Sequence, residues 1–379
     1  MKILALDLGK HKSMLCRFDT ETNKDTYAKV DTTPAAMHDL FVKEQPGQIV
    51  FEIGTPAGWL HDLCVTLGIR VDVVNPNDER WSWKKVKLKT DKTDAQKLAK
   101  LAQMNELPTV QMAPRDQRQH KKLIAYRHAL IQRRTAHRNL LRSTCEAEGI
   151  LLPAGHKAWT EAGIEIIRGH AKPASQCKMT NFWRGIVHEE LSAHDSVSEQ
   201  IDRIEKMLEK TAKKDEHIIR LQTIPGVGPR LAEAVVAVIG DPHRFASVKE
   251  VGSYVGLTPR LKESSTMSRM GRISKQGNSL LRSLLVEVAW ISTRYNEELK
   301  ALRERFKHGS KTRNKIATVA LARKLLTICW AMMRDKTTWD PSKLTSRAKA
   351  AVQGVEEAAS IVSQNAQGIA AAQPALATG

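Results

Sequence analysis

Four carboxylates in the first hundred residues occupy positions from which side chains can act on a phosphodiester. Asp7 and Glu52 each end an apolar run typical of a β-strand, and Asp91 and Asp94 stand three apart near the start of a helical pattern. Carboxylates converge at strand ends along the edge of a mixed sheet, and an i, i+3 pair projects from one face of a helix. Four acids placed in this way can hold two divalent cations, which clamp the attacking and leaving oxygens of a phosphodiester. Each acid taken alone is as well explained by a helix cap or a turn, so their order along the chain carries the interpretation.

A second candidate for chemistry is a segment rich in serine, glycine and arginine between residues 256 and 278. We expect a flexible, hydroxyl-rich loop in which a serine could attack a phosphate while guanidinium groups stabilise the charge that develops on its oxygens. Such segments are commonly loops without a catalytic role, and the residue types alone favour that simpler interpretation. The candidate nucleophiles are Ser264 and Ser265, and the candidate phosphate contacts are Arg260, Arg269, Arg272 and Lys275.

The segment 221–232 matches the pattern of a helix-hairpin-helix, a motif that holds a nucleic-acid backbone. Gly226 and Gly228 would let the backbone approach a phosphate closely, and the following helix, which carries Arg230, would offer free N–H groups. Such a contact positions a strand without distinguishing its sequence. The alternative is an ordinary tight turn between two helices.

The elements that must position the four acids form an alternating pattern of strands and helices. Three short alternating runs predict an antiparallel meander, and the strands and helices that follow predict a mixed α/β sheet with helices on its faces. The predicted strands are 2–8, 13–19, 25–30, 48–53 and 71–74, and the predicted helices are 34–42, 57–67 and 91–103.

The remainder of the chain has few strand signals. Within a long polar helical stretch, Val197, Ile201, Ile204 and Leu208 follow the 4-3-4 spacing of a coiled coil. Two heptads do not distinguish a coiled coil from an amphipathic helix packed on its own domain. A compact helical region follows, and the Ala-, Gln- and Ser-rich end predicts disorder or a loose helix. The predicted divisions are an α/β domain at 1–105, a helical or coiled-coil connector at 106–215, a helical domain at 216–335 and a tail at 336–379.

The charge of the chain points to a polyanionic partner. In 379 residues, 60 Lys and Arg stand against 41 Asp and Glu, which gives a net charge of +19. The excess is concentrated in two blocks: 81–150 holds 16 basic and 6 acidic residues, and 260–325 holds 16 and 5. Two separate basic blocks suit a protein that holds nucleic acid at more than one place, although solvated helix faces have the same composition.

Membrane insertion and export are not expected. The most apolar stretch, 316–333, is interrupted by Arg323 and Lys324, and Asp7 interrupts the apolar run at the N-terminus. Five scattered cysteines without a CxxC pair predict a reduced, cytoplasmic protein.

Two motif sets carry a resemblance to a known family. Asp7-x-Gly-Lys, then Glu52, then Asp91-x-x-Asp94 resembles the DEDD, RuvC-like nuclease domain of the insertion-sequence one-ten (Piv-like) transposases. The sequences Gly-Leu-Thr-Pro at 256–259 and Gly-Arg-Ile-Ser-Lys-x-Gly-Asn at 271–278 are similar to the C-terminal transposase domain of the same family. The nucleophilic serine of the family lies seven residues before the second motif, which corresponds to Ser264. Glycine follows that serine in the family, whereas Ser265 does so here, so an assignment to Ser265 stays open.

The resemblance implies an architecture and a mechanism. It implies a RuvC-like (RNase H-like) α/β N-terminal domain, an all-α coiled-coil connector and a helical C-terminal transposase domain, acting as homodimers that pair into tetramers. In such an enzyme the serine cuts DNA through a covalent phosphoserine, the DEDD acids bind Mg²⁺, and a structured bridge RNA selects donor and target DNA. The expected function is therefore that of a DNA transposase or site-specific recombinase.

Two other functions remain consistent with the residues. A RuvC-like junction-resolving nuclease would hydrolyse DNA with water, so it would leave nicks and form no covalent adduct. A non-catalytic nucleic-acid-binding protein would use the helix-hairpin-helix and the basic blocks, and it would not need Asp7 or Glu52.

Overall fold

A computed structural model describes residues 1–75, 90–264 and 267–343, without the side chains of 261–264 and 267–270. The chain divides into two compact units at Arg118 and Gln119. Ser265 and most of the predicted tail, from 344 onward, lie outside the described residues. In the part of the tail that is described, Trp339 packs on the core of the second unit, and its backbone N–H donates to Thr223 Oγ1 at 2.9 Å.

The first unit is built on a five-stranded mixed sheet, as the sequence predicts. The strand order is β3-β2-β1-β4-β5, in which β1, β2 and β3 are antiparallel neighbours and β1–β4 and β4–β5 are parallel pairs. This mixed sheet with helices on both faces and the mostly helical remainder of the chain agree with the architecture expected from the sequence. The strands are β1 (Lys2–Asp7), β2 (Lys12–Asp19), β3 (Lys24–Asp31), β4 (Gln48–Glu52) and β5 (Arg70–Val74).

Three helices cover the two faces of the sheet: α1 (Pro34–Glu44), α2 (Ala57–Thr66) and α3 (Asp91–Gln103). α1 and α2 pack on the face that carries Leu4 and Leu6, and α3 packs on the face that carries Ile3 and Ala5. Because both faces are covered, β1 and β4 are almost continuously apolar. The last residue of each strand is therefore where a charged side chain can reach the edge of the sheet.

Glu44, at the end of α1, ties the helix to the sheet. Its carboxylate accepts from Lys2 Nζ of β1 at 2.9 Å and from Arg17 Nε of β2 at 2.8 Å, and only 13% of its side chain is exposed. These hydrogen bonds, first that from Lys2, hold the pKa of Glu44 below its usual value.

The second unit begins with two long antiparallel helices joined through a shorter one: α4 (Arg115–Ala147), α5 (Glu161–His170) and α6 (Trp183–Ala212). Val197 and Ile201 of α6 are buried against Leu130 of α4, and Ile204 packs on the same cluster. An ion pair between Arg127 and Glu205 and a hydrogen bond between His137 Nδ1 and Glu190 Oε2 at 2.6 Å join the two helices. The apolar seam found in the sequence is thus covered by a helix of the same chain.

The rest of the second unit surrounds one buried helix. Leu321, Leu325 and Cys329 of the last helix are fully buried, and the Trp330 indole N–H donates to the carbonyl of Pro242 at 2.8 Å. One stretch of the described chain, Lys311–Asp335, is long and apolar enough to cross a membrane, and its place in this core accounts for its composition. The helices are α7 (Glu216–Leu221), α8 (Pro229–Ile239), α9 (Val248–Val255), α10 (Ser279–Ser292), α11 (Glu297–Lys307) and α12 (Asn314–Asp335).

The expectation of a loop around the candidate serine is wrong. β6 (Pro259–Ser264) and β7 (Met267–Ile273) form a two-stranded antiparallel hairpin, with Ser264 paired to Met267. Serine, glycine and arginine are common in loops, but backbone hydrogen bonding between neighbouring segments overrides that preference here.

We predict that Glu44→Gln lowers the free energy of unfolding by about 1 kcal/mol at pH 7, since it removes two charge-assisted hydrogen bonds. A carboxyl whose pKa is lowered by folding stabilises the fold above its usual pKa, and this contribution is lost as the pH falls through the lowered value. Urea unfolding at pH 7, 5 and 3 should therefore show the difference from wild type narrowing towards acid pH. The exposed Glu106→Gln is the control, and a difference that does not depend on pH would contradict the role of Glu44.

Candidate functional site

The ends of β1 and β4 bring two of the candidate acids together. The parallel register pairs Leu6 with Phe51, and each is followed at once by an acid, Asp7 on β1 and Glu52 on β4. Neighbouring strands lie roughly 5 Å apart, so these two residues are adjacent at the same edge of the sheet.

The two acids also project from the same face of the sheet. Side chains alternate along a strand, so Asp7 shares the face of Ile3 and Ala5, and Glu52 shares the face of Val50. Ile3, Ala5 and Val50 all pack in the cluster beneath α3. Asp7 and Glu52 therefore stand on the face that α3 covers.

Contacts between α3 and β3 show which way the helix runs. Lys92 Nζ lies 4.3 Å from the centre of the Tyr27 ring, and Gln96 Nε2 donates to Asp25 Oδ2 at 2.6 Å. β2 lies between β3 and β1, and its pairing with both strands places Tyr27 at the same height in the sheet as Ala5, and Asp25 at the same height as Ile3. From Lys92 to Gln96 the helix thus runs from the level of Ala5 towards that of Ile3.

The first turn of α3 consequently lies at the edge where β1 and β4 end. It carries Asp91, which is exposed, and Asp94, which is only 5% exposed. The helix begins at a capping box in which Thr90 and Thr93 exchange side-chain and backbone hydrogen bonds. The first turn of α3, with Asp91 and Asp94, thus lies at the same end of the sheet as Asp7 and Glu52, on the face that α3 covers.

The donor set at this edge fits a hard divalent cation in its chemistry, because Mg²⁺ prefers carboxylate oxygens and water. Among the described residues, however, no group of three or more His, Cys, Asp or Glu side chains is close enough together to hold a metal ion. Asp7, Glu52, Asp91 and Asp94 are therefore placed near one another without forming a finished ligand set.

Asp25 and Gln96 are functional candidates that the sequence analysis did not identify. Asp25 accepts from the Tyr27 hydroxyl and from Gln96, and these bonds, first that from Tyr27, lower its pKa. An ionised Asp25 makes stronger hydrogen bonds, so it anchors the second turn of α3 to β3. The sequence offers only a weak signal, an acid and a tyrosine two residues apart on one strand face.

The hairpin of β6 and β7 carries the second candidate site. Ser264 is the last residue of β6, at the turn of the hairpin, and Ser265 follows outside the described residues. Arg260 and Arg272 are exposed, and Arg260 Nη2 donates to the carbonyl of Ser274 at 3.1 Å. Lys275 is exposed with φ 59°, whereas the side chain of Arg269 lies outside the described residues.

The glycines around this hairpin allow two backbone segments to cross. Gly256 and Gly277 have φ of 78° and 70°, and a Cβ on either would lie about 2 Å from a carbonyl oxygen, that of Gln276 or Tyr254. Asn278 then begins α10, where its side chain accepts from the N–H of Leu281 at 2.8 Å. The second motif set therefore has a folding role, since it fixes the base of the hairpin against α9.

The predicted helix-hairpin-helix is a turn between α7 and α8. Gly226 has φ 90° and packs on α10, where an added Cβ would lie 2.9 Å from Ser292 Cα. Gly228 is exposed at the start of α8. Arg230 is engaged within the chain, with Glu205 at 3.4 Å and Glu233 at 3.4 Å. Gly226 and Arg230 thus have structural roles, and Gly228 remains open to a ligand.

The carboxyl of Glu233 is buried beside Arg230. Only 1% of the Glu233 side chain is exposed, and burial raises its pKa despite the neighbouring guanidinium of Arg230. Arg230 belongs to α8 and Glu205 to α6, so the ion pair between them links the two helices.

Two family models match separate parts of the chain. Residues 4–147 match the model of the transposases with a DEDD site (IS110), and residues 219–304 match the model of the IS116/IS110/IS902 transposases. The first covers the sheet with Asp7, Glu52, Asp91 and Asp94, and the second covers the hairpin with Ser264. The two models therefore match different parts of the chain, and both describe transposases.

Individual proteins are similar as well. The transposase for insertion sequence element IS1111A of Coxiella burnetii is 28% identical over 347 residues, which are 89% of this chain and 91% of that protein. The pilin gene-inverting protein of Moraxella lacunata is 33% identical over 149 residues, 38% of this chain and 46% of that protein. Among solved structures, Thermus thermophilus RuvC matches 29% of this chain and all of its own, with 14% identity and a TM-score of 0.22. A score that low does not establish a shared fold.

We predict that Gly277→Ala destabilises the second unit by more than about 3 kcal/mol, because a Cβ would overlap the Tyr254 carbonyl as well as strain the backbone. Gly309→Ala is the matched control: its φ is 71°, nothing lies within 4 Å of the added Cβ, and the strain alone costs about 1 kcal/mol. Urea unfolding of both variants measures the two costs. Equal losses would show that the backbone crossing contributes nothing.

Proposed function

We infer that this chain is a transposase of the IS110/IS116/IS902 family, and we propose that it cuts and rejoins DNA as the recombinase of an insertion sequence. The observation that carries the proposal is the adjacency of Asp7 and Glu52 at the ends of β1 and β4, beside the first turn of α3 with Asp91 and Asp94, in a chain of which two parts match transposase models. The net charge of +19 supports a nucleic-acid substrate.

We propose Ser264 as the nucleophile of strand cleavage, with Ser265 as the alternative. The serine oxygen attacks the phosphorus of a phosphodiester, a serine–phosphate bond forms, the bond to one deoxyribose oxygen breaks, and the serine proton passes to that leaving oxygen. Attack by a hydroxyl of another DNA end then joins the strands and releases the serine with its proton. The energy of the phosphodiester is kept in the covalent intermediate, so rejoining needs no ATP.

Cationic side chains near the hairpin would support this step. Arg260 and Arg272 are exposed on β6 and β7, and guanidinium groups bind phosphate oxygens through paired hydrogen bonds. Arg269 and Lys275 complete the proposed set of phosphate contacts. Gly228, at the open start of α8, would bind a backbone phosphate through free N–H groups. Gly226 and Arg230 would hold that turn in place.

The acid edge would hold divalent cations, which we propose to be Mg²⁺. Asp7 and Glu52 would supply oxygens from the ends of β1 and β4, Asp94 would supply them from the buried side of α3, and Asp91 from its exposed side. A bound cation would withdraw charge from the scissile phosphate. The chain's own contribution is to fix these oxygens, through the β1–β4 register and the anchoring of α3 by Asp25 and Gln96.

The partners follow from the same family. We propose donor and target DNA as substrates, a structured bridge RNA as the guide, and homodimers that pair into tetramers when two DNA sites are brought together. The two basic blocks support contact with more than one nucleic acid. The five cysteines are free, which suits action in the cytoplasm.

We predict that Asp7→Asn and Glu52→Gln each reduce recombination at least about a hundredfold, because each removes a charge that offsets the cation. The assay expresses the protein with its flanking DNA and measures excised circles and new junctions by quantitative PCR. Asp39→Asn, an exposed acid on α1 of the same unit, is the control and should recombine normally. Thermal unfolding checks that the variants are folded. Full recombination by folded Asp7→Asn would refute the metal role.

We further predict that Ser264→Ala abolishes a covalent protein–DNA adduct, which is detected by denaturing electrophoresis of labelled DNA. Ser268→Ala, on the opposite strand of the hairpin, should keep the adduct. Loss of the adduct in Ser265→Ala instead would move the nucleophile by one residue. Nicked DNA without any adduct in the wild type would favour the hydrolytic nuclease over the recombinase.

A further inference from the structure

A tryptophan is half exposed where α10, α11 and α12 meet. Trp290 of α10 is 49% exposed, which is unusual for so large an apolar side chain. The guanidinium carbon of Arg303, from α11, lies 4.7 Å from the centre of its ring. One part of the indole is thus covered by a cation, and the rest faces solvent.

Arg303 is itself held firmly, so the indole rests on a fixed support. Its side chain is only 12% exposed, and Nε donates to Thr318 Oγ1 of α12 at 3.2 Å. Nη2 donates to Asn314 Oδ1, in the first turn of α12, at 3.5 Å. Trp290 and the start of α12 therefore contact the same guanidinium group and lie side by side.

The start of α12 is strongly basic. Residues 303–315 contain six Lys or Arg and one Glu, and that acid, Glu304, pairs with Lys307 and Arg303. Lys311, Arg313 and Lys315 are exposed, and within the described part of the chain none of the three forms an ion pair with a carboxylate.

We propose that this surface, formed by Trp290, Arg303, Lys311, Arg313 and Lys315, binds unpaired nucleotides of a nucleic acid. A base stacks on the exposed part of the Trp290 ring, and the phosphates on either side of that base contact Lys311 and Arg313. The proposal rests on the proposed function and adds a binding surface to it, separate from the acid edge and from the serine hairpin.

The chemistry of the surface favours a single strand over other partners. An aromatic ring beside a row of cations is how proteins bind single strands irrespective of sequence, because every base offers a π face and every nucleotide a charge. In a duplex the base faces are stacked on one another and cannot reach the indole. In a protein interface the centre is depleted of lysine, whereas here unpaired cations stand beside the exposed ring.

The test measures the binding of the full chain to three fluorescein-labelled probes by anisotropy. The probes are a 15-nucleotide oligothymidine, a 15-nucleotide oligouridine and a 15-base-pair duplex. Trp290→Ala should bind both single strands about tenfold more weakly, while its affinity for the duplex stays within about twofold of wild type. Trp290→Phe keeps a π face and should lose no more than about threefold. Tighter binding of oligothymidine or of oligouridine identifies DNA or RNA, respectively, as the nucleic acid whose unpaired nucleotides occupy the surface.

Two further variants separate stacking from charge. Lys311→Ala/Arg313→Ala should weaken single-strand binding and reduce the slope of log Kd against log salt by about 1.4, the value for two lost phosphate contacts. Phe182→Ala removes another exposed aromatic side chain, 43% exposed just before α6 and outside both basic blocks, and should leave all three affinities unchanged.

Several results would overturn the proposal. The first is that the wild type binds neither single strand. The second is that Trp290→Ala binds the single strands as tightly as the wild type. The third is that Trp290→Ala loses as much affinity for the duplex as for the single strands. A change of oligomeric state in Trp290→Ala without a change in probe affinity would make the surface a protein interface. A wild-type protein that binds the single strands but does not recombine would refute the proposed function and leave this surface standing.

Discussion

The parallel pairing of β1 with β4 is the constraint on which the acid edge depends. Helices bury both faces of the sheet. If the pairing register of β1 or β4 slipped by one residue, Asp7 or Glu52 would therefore point into the opposite, apolar face, under α1 and α2. The register that fills the core is thus the same register that makes the two acids neighbours. Like charges a few ångströms apart repel each other, and the strand ends are where solvent can reduce that cost. The fold brings the carboxylates together as a consequence of packing.

The position of the remaining two acids depends on polar contacts rather than on this register. α3 packs mainly through three alanines and through Leu98 and Leu101, and small side chains fix the position of a helix along a sheet only weakly. Asp25 removes that freedom, because its bonds from Tyr27 and Gln96 fix the second turn of the helix at one level of β3. The structure therefore couples an ionised group far from the edge to the location of Asp94. The positions of the four acids thus depend on two independent features: the apolar packing that fixes the β1–β4 register, and the hydrogen bonds of the ionised Asp25 that fix α3.

Local sequence patterns predicted the elements whose formation depends on neighbouring residues in the chain. The meander, the buried strand β4 and the span of α3 follow from alternation, apolar runs and a capping signal, and the structure confirms them. The hairpin of β6 and β7 was missed because its stability comes from pairing, whereas composition indicates a loop. The crossing of Gly256 with Gly277 was missed for a related reason: it joins segments some twenty residues apart, and a sequence does not show which backbone lies against which. Of the candidate site residues, strand ends were predictable, and supporting residues such as Asp25 were not.

The described cationic and aromatic side chains leave the choice of DNA sequence unexplained. Arginine and lysine on an exposed surface contact phosphates, and a stacked indole accepts any base, so the net charge of +19 supplies affinity without specificity. A recombinase that acts at chosen sites needs a second source of information, and base pairing with a guide RNA would provide it without any base-reading side chain. A guide of this kind must expose unpaired bases before it meets its target. A surface such as that around Trp290 would hold those bases apart and ready to pair. The proposed RNA partner and the proposed single-strand surface are therefore consistent with each other, since the RNA needs its bases kept unpaired and the surface binds unpaired bases.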